Sequence, residues 1–329
     1  MRRVFSRARV GEFMKTKAMF AMTWCLFGSA FVLSQNAPQQ QPAAEKQTMA
    51  TAIPGVVAAG TKVERVWTGL QAGDGLIGAP DGTLLLPEQG TANRVIRFDK
   101  DGKSAVYLED TNEAGGIAID PRGRVIDIER SPPSRVRVLA PERKVLADTY
   151  EGKPFQRLSD IVGDRKGGVY VTESPTTSVF YLSPAGQITR VAADVQGANG
   201  IMLSPDDKTL YVTNTPNGMV AYDVQPDGSI RNRRNFTKPE GGQDGLAIDD
   251  AGRLYVAGQT GVQVFSPEGQ YLGLIPTPRP TTTLAFAGPD KKTLFVIGRG
   301  NDGPGGNGPT ARSMYKISML AEGFKGRAK

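Results

Sequence analysis

One pattern returns six times along this chain, and it leaves few folds open. A small or polar residue opens an apolar run, an Asp/Pro/Gly turn follows, and a second apolar run completes the unit. The copies are DGLIGAPDGTLLLPE from Asp74, GGIAIDPRGRVIDIE from Gly115, SDIVGDRKGGVYVTE from Ser159, NGIMLSPDDKTLYVTN from Asn199, DGLAIDDAGRLYVAG from Asp244 and TLAFAGPDKKTLFVIG from Thr283. Successive openings lie 41, 44, 40, 45 and 39 residues apart. The turns supply the Asp and Gly of tight hairpins, and runs such as VYVTE and LYVTN alternate β-branched and aromatic residues. A second hairpin follows in each unit, as in VFYLSPAGQITRVA and VQVFSPEGQYLGLI. Four strands in roughly 40 to 45 residues make one propeller blade. The expectation is an all-β, six-bladed β-propeller over residues 63–320, with four antiparallel strands per blade. The lone strand VERVW, Val63 to Trp67, precedes the first unit and is expected to complete the last blade, closing the ring.

The N-terminus has a different character. Residues 1–37 hold Arg2, Arg3, Arg7, Arg9, Lys15 and Lys17 against one acid, Glu12, so most of the +7 formal charge sits there. The remainder is near balance and carries no basic block, which argues against a nucleic-acid surface. Lys15 and Lys17 precede an apolar stretch, Ala18 to Leu33, followed by SQNAPQQQPAAEKQ. That order reads as a signal peptide over 1–37, with Met14 an alternative start and an uncleaved anchor the alternative fate. The stretch, sixteen residues broken only by Thr23, Gly28 and Ser29, is short for a span, which takes about 20. The mature protein is therefore expected in the periplasm or outside the cell, with no stable membrane span after cleavage. Residues 38–62, rich in Gln, Ala and Pro, read as a disordered linker. Residues 321–329 read as a frayed tail, and the Gly-rich segment Gly298 to Ser313 as a long loop of the last blade.

Two absences narrow the chemistry. The single cysteine, Cys25, lies in the apolar stretch, and the chain has no histidine. Ser-His-Asp and Cys-His catalysis are excluded in their usual forms, as is imidazole-ligated zinc. Hydrolysis by this chain must use carboxylates, Lys, Tyr or a hard, oxygen-ligated metal.

The repeat phase says where such chemistry would sit. Each opening residue leads into the strand nearest the propeller axis, so Asp74, Gly115, Ser159, Asn199, Asp244 and Thr283 are expected around the channel mouth. An isolated Asp or Asn before Gly is usually a turn former. Two carboxylates and a carboxamide at equivalent positions of three blades point to a site instead, and oxygen donors suit Ca²⁺, Mg²⁺ or Mn²⁺.

The same residues carry a resemblance. VLADTYEGKPFQRLSDIVGDRKGGVYVTES, ANGIMLSPDDKTLYVTNT and DGLAIDDAGRLYVAGQTGVQVFSPEGQYLGLIPTP resemble the gluconolactonase, senescence-marker-protein and luciferin-regenerating-enzyme family, in the right order along residues 63–320. The resemblance implies one divalent cation, most often Ca²⁺, held by Asp74, Asn199 and Asp244. Asp74 stands where the family has Glu. It places Ser159 and Thr283 where the family has Asn, with Asp160 kept beside Ser159. Those two changes put the substrate in doubt. It sets Glu129 near the channel and Arg130 where histidine is common, either holding an acidic or hydroxylated substrate, or solvated or paired with a neighbouring acid.

The activity implied is hydrolysis of a sugar-derived or other small cyclic ester by metal-activated water, with Asp244 as proton acceptor or as a ligand alone. The alternatives are a non-catalytic propeller that binds a ligand or a protein around a structural metal, and a phosphotriester hydrolase. The oligomeric state has no sequence signature here.

Overall fold

The computed structural model describes residues 47–71, 73–300 and 312–329. The signal segment 1–37, residues 38–46 of the expected linker and residues 301–311 of the Gly-rich loop lie outside the described residues. Six four-stranded antiparallel sheets follow one another along the chain, each with its first strand innermost. The inner strands are Ile77–Gly78, Ala114–Ile119, Leu158–Gly163, Ala198–Leu203, Leu246–Ile248 and Thr281–Ala287. The ring closes as expected: Glu64–Leu70 pairs with Arg312–Ser318 and forms the outer strand of the sixth blade. Among the described residues no helix is long and apolar enough to cross a membrane.

The repeated turn has a repeated geometry. In the inner hairpins of the six blades, Gly82, Gly123, Gly167, Asp207, Gly252 and Lys291 all have positive φ. The Asp of each turn accepts backbone N–H groups, as Asp120 does from Arg122 at 3.0 Å and Arg124 at 2.9 Å.

The glycine after the opening residue answers to a different need. A Cβ at Gly75 would lie 2.4 Å from the carbonyl oxygen of Gly115, and one at Gly200 would lie 2.1 Å from that of Asp244. At these positions the next blade's backbone comes too close for any side chain, so only glycine lets the inner strands meet around the axis.

Between the blades lie apolar layers. Val162, Tyr170, Ile201, Leu210, Leu246 and Leu254, from three successive blades, share one buried cluster. Burying such a side chain contributes about 1.5–3 kcal/mol.

Two segments depart from expectation. Residues 47–62 are not a loose linker: Ile53, Val56 and Val57 are buried among Tyr255, Val262 and Phe286 of the fifth and sixth blades. A turn at Pro54-Gly55 brings Ile53 and Val57 into a bridge, so three apolar residues without periodicity reach one core. The tail, too, is pinned rather than frayed. It crosses the ends of the inner strands opposite the openings, with Phe324 N–H donating to Ile248 O (3.2 Å), Ile119 N–H to Ala328 O (3.1 Å) and Gly163 N–H to Lys329 O (3.3 Å). Arg327 donates to Leu203 O, and the Lys329 ammonium reaches the buried Asp160 carboxylate. Backbone bonding to strand ends needs no side-chain pattern, so the sequence carries no sign of it.

Candidate functional site

At the opening end of the channel lies a cavity of about 200 Å³ lined almost wholly by polar groups, among them Asp74, Arg130, Ser159, Asn199 and Asp244. Their convergence follows from the repeat, since each stands at or beside the start of an inner strand except Arg130. Arg130 follows the second strand of blade two, Val125–Glu129. It passes over Gly115, where a Cβ would come 2.5 Å from its Nε. Blade two therefore contributes Arg130 to the mouth in place of an opening side chain.

Asp74 accepts Gly75 N–H on Oδ1 at 2.9 Å and Arg130 Nη2 on Oδ2 at 2.8 Å. Arg130 donates also to the Ser159 carbonyl. Burial pushes the Asp74 carboxyl up, but the Arg130 charge and these hydrogen bonds outweigh it and hold the group below its ordinary value. The Asn199 carboxamide donates from Nδ2 to Asp244 Oδ1 at 2.8 Å. Among the described residues Asp244 has no basic partner of that kind, and its carboxyl is pushed up to about 7, first by burial and then by the Asp74 charge. Ser159 Oγ shares a 2.6 Å hydrogen bond with Ser174 Oγ. Below them Asp160 is raised by burial, with the Lys329 charge opposing.

Glu129 and Thr283 do not line the cavity. Glu129 is buried against Arg137 at 3.5 Å and Arg135 at 3.9 Å. Its position recurs: Glu88 and Glu173 end the same strand of blades one and three and accept the backbone N–H of Gln71 (3.1 Å) and Gln156 (2.7 Å). Glu129 is thus a member of a structural series, and the residue after it faces the mouth. At blade six an irregularity in register between Thr281 and Thr283 turns Thr282 to the cavity, where it accepts Arg312 Nη1 at 3.1 Å. Thr283 is buried, its hydroxyl without a hydrogen-bond partner.

The residues missed from sequence are chiefly arginines: Arg157, Arg299 and Arg312 all line the cavity. Arg157 lies two residues before Ser159, a signal in plain view. Arg299 and Arg312 flank the Gly-rich loop and belong to strands that extend further into it than the repeat suggests.

Residues 73–298 match the family model described as the SMP-30/Gluconolactonase/LRE-like region. A gluconolactonase of Zymomonas mobilis is 28% identical over 281 residues, covering 72% of this chain and 78% of the relative. A pentonolactonase of Haloferax volcanii is 27% identical over 278 residues, covering 78% and 94%. Among solved structures, a gluconolactonase from Xanthomonas campestris superposes with a TM-score of 0.68 at 25% identity, covering 82% of this chain and 97% of that one.

Proposed function

Because the chain belongs to the SMP-30/gluconolactonase/LRE-like family, we propose that it is a lactonase that opens a small cyclic ester by addition of water. The observation that carries this reading is the meeting of Asp74, Asn199 and Asp244, from blades one, four and five, on one polar cavity. The relatives named for lactone hydrolysis support the reaction class.

The donor set suits a hard divalent cation in kind: two carboxylates and a carboxamide oxygen, with no sulfur or imidazole. The buried Asp244 carboxylate beside Asp74 is negative charge that such an ion would relieve. Asp74, Asn199 and Asp244 would hold it, Ca²⁺ being our first choice. When bound, it would supply a Lewis acid that polarises the ester carbonyl.

The chain's own residues do the rest. Asp244 takes the proton from the attacking water as its oxygen bonds to the carbonyl carbon. The ring C–O bond then breaks, the leaving alkoxide takes the proton held on Asp244, and the product is the open hydroxy acid. Proton transfer to a positioned carboxylate contributes about 10² to 10⁴ in rate. Asn199 aims Asp244 through the 2.8 Å bond. Arg130, resting on Asp74, presents N–H groups to the same cavity for the developing oxyanion. The apolar stretch from Ala18 to Leu33 supports export as the setting.

Calorimetric titration of Ca²⁺, Mg²⁺ and Mn²⁺ into chelator-treated protein, followed by a lactone panel with and without the tightest ion, tests this reading. One-to-one binding with ion-dependent acid release is the expected result. Binding without turnover would replace the lactonase with a ligand-binding propeller.

A further inference from the structure

The cavity carries more positive charge than a neutral sugar lactone can use. Four guanidiniums line it, from Arg130, Arg157, Arg299 and Arg312, and the only carboxylates among its described lining residues are Asp74 and Asp244. Asp74 is engaged by Arg130. Three arginines then face one carboxylate. The oxyanion that forms during ester hydrolysis is a single charge, and Arg130 already points donors at the cavity. A divalent cation would enlarge the surplus.

Two of these arginines are placed against each other. Arg299 ends the second strand of blade six, Thr293–Arg299, and Arg312 begins the third, Arg312–Ser318. They are direct register partners. Like charges directly opposite on paired strands repel and destabilise the sheet. No carboxylate among the described residues forms an ion pair with either of them. The Arg299 side chain makes no hydrogen bond to a described residue, and among the described residues Arg312 reaches only the Thr282 hydroxyl. Arg312 Nε is buried with no hydrogen-bond partner, and burial lowers the Arg312 pKa. A buried, unsatisfied guanidinium nitrogen is costly unless a ligand completes it.

We propose that the site takes a lactone bearing an anionic group of its own, a carboxylate or a phosphate, which Arg299 and Arg312 hold between them. The inference rests on the lactonase reading and names its substrate class. Guanidinium forks bind the oxygens of either anion through paired N–H donors. The anion also offsets the repulsion within the arginine pair. Blades one and five flank blade six in the ring and blade four adjoins blade five, so a substrate anchored at Arg299 and Arg312 meets Asp74, Asn199 and Asp244 on the same cavity. The anionic substituent takes no part in the bond changes and leaves with the product.

The test compares kcat/KM of the full chain on glucono-δ-lactone, which is neutral, on the monolactone of glucaric acid, which carries a carboxylate, and on phosphogluconolactone. One of the two anionic lactones is expected to exceed the neutral one by about 10- to 100-fold, the size of a charge-assisted interaction. The difference should reside in KM and shrink as salt is added. Which anion wins separates carboxylate from phosphate. Arg299→Gln and Arg312→Gln should each cut the anionic-to-neutral ratio by about 10-fold, and Arg312→Lys should restore part of it. Equal kcat/KM on neutral and anionic lactones would overturn the inference and leave the lactonase standing. If no lactone is opened, the lactonase reading falls, and titration of glucarate and phosphogluconate against neutral sorbitol decides the inference by itself. Binding of an anion that is lost in Arg312→Gln supports it, and no preference over sorbitol overturns it.

Discussion

Arg130 Nη2 lies 2.8 Å from Asp74 Oδ2, across the boundary between the first two blades and 56 residues apart in sequence. The first-blade carboxylate therefore already has a cationic partner, supplied through the space above Gly115. Any ion held by Asp74 shares it with this guanidinium.

That sharing is measurable. Arg130→Gln is expected to tighten divalent-cation binding by about 10-fold or more, because it removes a like charge from a partly desolvated site. Gly115→Ala should act in the same direction, since the added methyl would displace Arg130 from its seat. Isothermal titration of Ca²⁺ into the two variants checks both. Unchanged affinity in Arg130→Gln would show that the cation does not use Asp74.

Asp244 and Asn199 form the second half of the site, and their roles differ. Asp244→Ala should lower kcat/KM by about 10² to 10⁴, with circular dichroism and melting behaviour close to the parent. Asn199→Ala should weaken both turnover and cation binding, because it removes the donor that fixes Asp244. Asp244→Asn keeps the shape without the charge. Full activity in that variant would exclude Asp244 as the proton acceptor.

The ring was readable because every blade repeats the same physical solution. Asp and Gly make the turn, glycine admits the neighbouring backbone at Gly75 and Gly200, and the residue before that glycine is left facing the axis. Asp74, Asn199 and Asp244 were found through that phase. Glu129 was set near the channel by the resemblance rather than by the repeat, whose own logic makes it the counterpart of Glu88 and Glu173, which serve backbone N–H groups. Features outside the repeat left no trace. Arg299 and Arg312 border the Gly-rich segment of blade six, which the repeat does not contain. The segment from Ala321 to Lys329 binds strand ends through its backbone, and neither period nor composition announces that.

The tail has its own test. Lys329 and Asp160 are each buried, and the ammonium supplies the only cationic partner that Asp160 has among the described residues. Removing one member of such a pair leaves a buried charge, which costs about 3–5 kcal/mol. Lys329→Met should therefore lower stability to chemical denaturation by roughly that amount. Adding Asp160→Asn should recover most of the loss. If the single variant is as stable as the parent, the tail does not stabilise the channel floor through this contact.

Lys291 gives the fold a pH dependence away from the site. It occupies the inner turn of blade six, is buried, and donates from Nζ to Gly78 O at 3.0 Å. Burial, then repulsion from Lys325, lowers its pKa to about 8. In the unfolded chain a lysine titrates near 10.4. Between these values the unfolded chain keeps the proton and the folded one has released it. Stability must therefore rise with pH across that window, and the cost of burying the charge is fully present below pH 8. The linkage is worth about 3 kcal/mol over the whole interval. Lys291→Met should be more stable than the parent at pH 7 and should lose the upward slope above pH 8, read from denaturant midpoints at matched ionic strength. A parent whose stability is flat or falling from pH 8 to 10 would show that the buried ammonium keeps its charge.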